Sequence, residues 1–161
     1  MFDIHPWLIR FALPSETEYL TELALRSKAY WGYSKEFINA CRQGFTVDLN
    51  YIEHNLTFVL ENKELIIGFY SLEHLSENEV ELGFLFIEPS EIGKGYGRKL
   101  IMHAKQQGQN LGYRRIIIQS DPNAEQFYLN VGGTRIGTRK YASIPNREFP
   151  LLQIDLHEIH L

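Results

Sequence analysis

Between Val80 and Leu100 the chain runs VELGFLFIEPSEIGKGYGRKL. Val80–Ile87 is rich in β-branched and aromatic residues, is closed by Pro89, and reads as a strand. A short loop follows, and Gly93, Gly95 and Gly97 open a helix whose apolar side carries Leu100, Ile101, Ala104 and Leu111. Arg115–Gln119, with three consecutive isoleucines, then reads as a buried strand, which completes a strand–loop–helix–strand crossover.

Upstream, Trp7–Leu13 is a short apolar run that reads as a first strand. Ser15 and Glu18 have the spacing of a capping box, and Leu20, Leu23, Ala24 and Ser27 share the inward face of the helix they open. Ser34 caps a second helix with Phe37, Ile38 and Cys41 inside and Gly44 as its stop. After a helical piece at Leu49–His54 come strands at Leu56–Leu60 and Leu65–Leu72, with Asn62-Lys63 as the turn between them. Downstream, Asp121-Pro122 is an N-cap with proline at the first helical position. That helix carries Ala124, Phe127, Tyr128 and Val131 on one face and stops at Gly132-Gly133. Strands near Thr134–Tyr141 and Glu148–Leu156 end the chain. The order predicts one α/β domain over residues 1–161, with a mixed sheet.

With 161 residues and 44% hydrophobic content the chain can bury one sizeable core. Its 16 Lys and Arg against 20 Asp and Glu leave a formal charge of -4, without the basic surplus that phosphate neutralisation in nucleic-acid binding requires. The single cysteine, Cys41, cannot form an intrachain disulfide, which points to a reducing compartment. The first residues, Met1 to Pro6, lack the basic start and apolar run of a signal peptide, and no apolar stretch approaches the roughly 20 residues of a membrane span. A cytoplasmic protein away from membranes is the expectation.

The glycine-rich loop predicts an anion site. Glycines let backbone N–H groups come close to an anion, the helix N-terminus adds unpaired donors, and Lys94 and Arg98 add full charges. A pyrophosphate is the natural guest. The dinucleotide fingerprint G-x-G-x-x-G fails because Arg98 stands three residues after Gly95, and the P-loop fails on spacing and on the missing Lys-Ser pair.

Ile92-Gly93-Lys94-Gly95-Tyr96-Gly97 resembles the central motif of the GNAT superfamily of acyl-CoA-dependent N-acyltransferases, a strand followed by [Q/R]-x-x-G-x-[G/A] at a helix start. Ile92 departs from the usual Gln or Arg, in a loop that holds phosphate mainly through backbone amides. Asn123-Ala124-Glu125-Gln126-Phe127-Tyr128 with Gly132-Gly133 is similar to the family's N-A-x-x-F-Y-x-x-x-G. The resemblance covers nearly the whole chain. It implies a mostly antiparallel twisted sheet of about seven strands with helices on both faces, and acetyl-CoA lying between the strand that ends at Ile87 and the one that begins near Arg115. It further implies that the pantetheine arm pairs with backbone at Leu85 and Ile87, that an amide near Leu85 or Phe86 polarises the thioester carbonyl, and that the pyrophosphate meets Gly93 to Arg98. Asn123 would bond the pantetheine arm, with Phe127 beside it, although the position of Asn123 just inside the helix start also permits a local capping role. It also suggests a homodimer, which no residue by itself demands.

An alkylamine acceptor resembles lysine, with a pKa of about 10.4, and must lose a proton before it attacks. Glu81 is the candidate base. It has the parity of Gly83, Leu85 and Ile87, so the four share a face unless a bulge intervenes, and an apolar setting would raise its pKa. The plainer reading is a Glu at a solvated strand end. Tyr128 matches the family tyrosine that protonates the departing thiolate, though it also fits a core position. By resemblance the first helices and the late hairpin wall the acceptor pocket. That points to Tyr30, Trp31 and Tyr33, which could face an acceptor or pack the helix turn, and to Ser143–Arg147, where Arg147 could read a carboxylate or brace the loop. His157-Glu158-Ile159-His160 is too tightly spaced for a zinc motif, so no metal is expected. Cys41 reads as a buried apolar filler. The expected activity is direct acetyl transfer from acetyl-CoA to a small-molecule primary amine. A non-catalytic acyl-CoA-binding module and a protein N-terminal or lysine acetyltransferase are the alternatives.

Overall fold

The computed structural model describes residues 6–142 and 144–156. The strands are β1 (Trp7–Phe11), β2 (Leu56–Asn62), β3 (Leu65–His74), β4 (Glu79–Ile87), β5 (Arg115–Gln119), β6 (Gly133–Lys140) and β7 (Glu148–Asp155). The helices are α1 (Thr17–Ala29), α2 (Lys35–Cys41), α3 (Leu49–His54), α4 (Tyr96–Asn110) and α5 (Glu125–Asn130). The strands form a seven-stranded sheet in the order β1-β2-β3-β4-β5-β7-β6. Every neighbouring pair is antiparallel except β4 and β5, which the α4 crossover makes parallel. The expected mixed α/β sheet is the one observed.

Local chemistry explains most boundaries. Ser34 accepts from Phe37 N–H at 3.1 Å and starts α2, and Asp48 does the same for α3 through Tyr51 N–H at 2.8 Å. Two expectations shift. The first helix is entered through a 3-10 turn at Pro14–Glu16, so the reaching carboxylate is Glu16, which takes Leu13 N–H at 2.8 Å, and not Glu18. The β2–β3 turn centres on Lys63-Glu64, both at positive φ (51° and 69°), one residue later than Asn62-Lys63, because a two-residue turn matching strand twist needs that geometry twice.

The two sheet faces carry separate cores. On one, Leu100, Ile101 and Ala104 of α4 and Tyr128 of α5 pack on Phe58, Tyr70, Ile116 and Leu152. On the other, Leu20, Leu23 and Ala24 of α1 pack on Val59, Phe69 and Phe84. Leu100 is fully buried, as helical spacing required, and burying such a side chain stabilises the fold by about 1.5–3 kcal/mol. No helix among the described residues is long and apolar enough to cross a membrane.

Two irregularities shape the centre of the sheet. First, β4 pairs with β5 only through Glu79↔Arg115, Val80↔Ile116 and Glu81↔Ile117, after which β4 runs on alone to Ile87. The strands splay, and that edge of β4 is left without a strand partner. Second, the β3–β4 register slips between Ser71↔Phe84 and Leu72↔Leu82, so Gly83 is an extra residue in β4. A Cβ there would overlap the Glu73 carboxylate and crowd the Tyr51 hydroxyl, so a larger residue would displace the side chains that bond each other at this point. The bulge reverses the alternation. Leu85 and Ile87 join the α4 face, whereas Phe84 and Phe86 join the α1 face. The shared face expected for Glu81, Leu85 and Ile87 is therefore corrected: Glu81 lies on the α1 side, and the other two lie on the opposite one.

Candidate active site

The gap between β4 and β5 opens into a cavity of about 600 Å³, lined by residues from the glycine loop at one side to α1 and β7 at the other. Gly93 and Gly95 have φ of 89° and 87°, in the left-handed region, and a Cβ on either would meet no atom within 4 Å. Gly95 is the N-cap of α4, and no side chain caps that end, so the first-turn N–H groups are free to meet an anion. Arg98 lines the cavity. Lys94 does not: its ammonium turns outward to Glu91 at 2.8 Å, which raises its pKa, so the expected second cation of the loop is committed elsewhere. Ile92 packs its side chain on the α4-side core, while Tyr96 accepts from Asn62 Nδ2 at 2.9 Å. Phe127 lies against Gly97, where a Cβ would come within 3.3 Å of its ring. Leu85, Phe86 and Ile87 line the unpaired edge of β4.

Glu81 and Tyr128 open on the same cavity. Glu81 is not set among apolar side chains. Both its oxygens accept from Arg139 Nη1, at 3.1 and 2.9 Å. Arg139 reaches it from β6, and sequence reasoning missed it because the two residues lie 58 positions apart and three strands away. Tyr128 is buried, and burial first, then the Asp121 charge, push its phenol well above the ordinary tyrosine value. Its hydroxyl makes no hydrogen bond among the described residues. Its ring packs edge-on to Phe127, with centroids 5.1 Å apart.

At the α1 side of the cavity, Lys28 is a buried cation. Its ammonium pairs with Asp121, and four rings surround it: Phe149 at 4.8 Å, Tyr33 at 5.0 Å, Tyr141 at 5.2 Å and Phe37 at 5.8 Å from the centroids. A desolvated cation over such faces gains roughly 2 kcal/mol or more. Asp121 also accepts from Tyr33 Oη at 2.9 Å and from Asn123 N–H at 2.8 Å. Burial pushes the Asp121 carboxyl up, but the Lys28 ammonium and these donors outweigh it and hold it below the usual carboxylate range. Burial and the same carboxylate push the Tyr33 phenol up to about 12.

Of the four residues assigned to an acceptor, only Trp31 lines the cavity. Tyr33 stacks on Phe37 at 4.3 Å and belongs to the cage, and Tyr30 stands edge-on to Trp31 on the exposed surface. Arg147 lies over the Phe37 ring, 5.3 Å from its centroid. Asn123 turns its amide back onto Asp121 at 2.9 Å. Cys41 is fully buried, burial pushes its thiol up, and its Sγ lies 3.8 Å from the Tyr141 hydroxyl, outside the cavity lining. No group of three or more metal-ligating side chains comes together among the described residues. His157–His160 and Ser143 lie outside them.

A family model, that of the GNAT acetyltransferase domain, matches residues 24–143. The chain belongs to the GNAT acetyltransferase family. The acyl donor of that family is acetyl-CoA. Among solved structures, this GNAT chain resembles the PaiA N-acetyltransferase of Thermoplasma acidophilum, in complex with coenzyme A, at 20% identity and TM-score 0.78, covering 92% of this chain and 98% of that one. It also resembles yncA of Salmonella typhimurium, solved with acetyl-CoA, at 16% identity and TM-score 0.69, covering 96% of each chain. N-acetylglutamate synthase from Neisseria gonorrhoeae, complexed with coenzyme A and N-acetyl-glutamate, is similar at 19% identity and TM-score 0.70, over 97% of this chain and 36% of that one. No curated protein matches.

Proposed function

We propose that this GNAT chain transfers the acetyl group of acetyl-CoA to the primary amine of a small molecule, by direct attack within a ternary complex. The observation that carries this reading is that one cavity holds both the glycine cradle and, across the splayed strands, Glu81 and Tyr128. The residues suit the donor. Left-handed glycines leave open space over an uncapped helix end, and Arg98 adds the charge a pyrophosphate calls for. The unpaired edge of β4 from Leu82 to Ile87 offers backbone groups to the amides of an extended arm, and an N–H there can strengthen its bond as charge grows on the thioester oxygen.

Glu81 takes the proton from the acceptor ammonium, directly or through water. The amine nitrogen then bonds to the acetyl carbon, and the carbon–sulfur bond breaks as the Tyr128 hydroxyl gives its proton to sulfur. The second proton shed by the nitrogen restores the Tyr128 hydroxyl, so that the products are the amide, the CoA thiol and one proton held on Glu81. A phenol raised by burial stays protonated at neutral pH. Because a thiolate, with an ordinary thiol pKa of about 8.5, is a weaker base than that phenolate, the proton passes to sulfur only as the nitrogen's proton returns to the phenol oxygen. Direct transfer is supported by the position of Cys41, which is sealed away from the cavity and unsuited to an acyl-enzyme. The small-molecule reading is supported by the aromatic cage that closes the α1 side of the cavity.

The test is thiol release from acetyl-CoA over an amine panel, with Glu81→Gln beside the wild type. The variant is expected to lose about 10²-fold or more of kcat, most strongly near neutral pH, on the order of a general-base contribution. Its acetyl-CoA affinity stays as it was. An unaltered rate removes Glu81 from the role of base.

A further inference from the structure

We infer that the acceptor is an amino acid, an amine with a carboxylate close to its amino group, and that the free edge of Arg139 reads that carboxylate while Glu81 meets the amine. This rests on reading the cavity as an acetyl-transfer site, and it names the substrate class of that site. Arg139 spends a single nitrogen on Glu81: Nη1 bonds both carboxylate oxygens. Its Nε and Nη2 have no partner among the described residues, and the side chain is 38% exposed, so a solute can reach it. Those two nitrogens form the planar edge that binds a carboxylate through two parallel hydrogen bonds. Arg139 stands directly opposite Phe149 on β7, and directly opposed residues point to the same face; Phe149 lines the cavity. Arg139 does not itself line the cavity, but its Nη1 bonds the carboxylate of Glu81, which does, so its free edge belongs to the acceptor side at the rim of the cavity.

The charge pattern selects further. A guanidinium beside a carboxylate is the complement of a carboxylate beside an ammonium, so a zwitterion replaces one ion pair by two and leaves no charge unpaired during desolvation. A polyamine has no such match. Its second cation would seek an aromatic box, and the box at this end is already filled by Lys28 and neutralised by Asp121. An uncharged amine leaves the Arg139 edge unsatisfied.

The experiment measures kcat/KM by thiol release from acetyl-CoA, using methionine, phenylalanine and glutamate, their α-amides, and spermidine. At least one free amino acid is expected to exceed its α-amide tenfold or more. Arg139→Gln brings that ratio close to one, and Arg139→Lys, which keeps the charge but loses the fork, restores part of it. Should the Gln variant fail to fold, the partial loss in the Lys variant reads the same interaction. Preference for the amides or spermidine, or a ratio unchanged in both variants, overturns the inference. So does turnover of no acceptor by a protein that still binds acetyl-CoA in a calorimetric titration, and in that case the donor site stands. Absence of acetyl-CoA binding overturns the transfer reading and the inference together.

Discussion

Lys28, on α1, and Asp121, at the start of the turn leading into α5, form an ion pair with side-chain exposures of 4% and 12%. The pair joins the helix that walls one side of the cavity to the segment that positions Tyr128 on the other. Asp121 caps the 3-10 turn Pro122–Ala124, from which α5 continues. Removing one partner leaves the other charge buried. Lys28→Met is therefore expected to cost about 3–5 kcal/mol in urea unfolding, and adding Asp121→Asn recovers much of the loss. A cost below about 1 kcal/mol would mean that water reaches the pair.

The same pair sets an acid limit on stability. The folded Asp121 carboxyl lies below its ordinary value of about 3.9, so its contribution is complete above that value and is lost as the pH falls through the folded pKa. Unfolding free energies of wild type and Lys28→Met, measured from about pH 7 down to about pH 2, are expected to converge in acid. Parallel curves would place the charge of Asp121 outside the balance.

Tyr128→Phe separates chemistry from packing. The ring fills the α4-side core, but the hydroxyl bonds no described residue, so its removal is expected to change stability by less than about 1 kcal/mol. Turnover is expected to fall by roughly 10²-fold if the phenol protonates the leaving sulfur. A variant that melts early while retaining its turnover reverses the assignment and makes Tyr128 a core residue.

Gly95 tests the cradle. At φ 87° a valine costs about 1–3 kcal/mol in backbone strain, yet no protein atom obstructs its Cβ. The fold is expected to survive Gly95→Val with acetyl-CoA affinity reduced tenfold or more by calorimetry. Unchanged affinity would remove the loop from the binding site.

Much of this molecule is decided by local sequence. The strand–glycine loop–helix at 80–100, the Asp121-Pro122 turn, the Ser34 cap and the run of isoleucines at 116–118 each carry the spacing of their own element, because dihedral preferences and the period of burial act between neighbours. The family resemblance rests on such stretches, and the mixed α/β class was legible from their order.

Tertiary structure decided the chemistry of the acceptor side. Gly83 is an ordinary strand residue until pairing with β3 leaves it as the extra residue of a bulge, beside the Glu73 carboxylate, with Glu81 on the α1 face. Arg139 meets Glu81 from 58 residues away, and Lys28 meets Asp121 from 93. Tyr33 was legible as an aromatic near a pocket, but not as one wall of a cage filled by the protein's own lysine. Hydrogen bonds and ion pairs act over a few ångströms and disregard chain separation, so only the packed sheet could show which charges are already spent and which donors remain free.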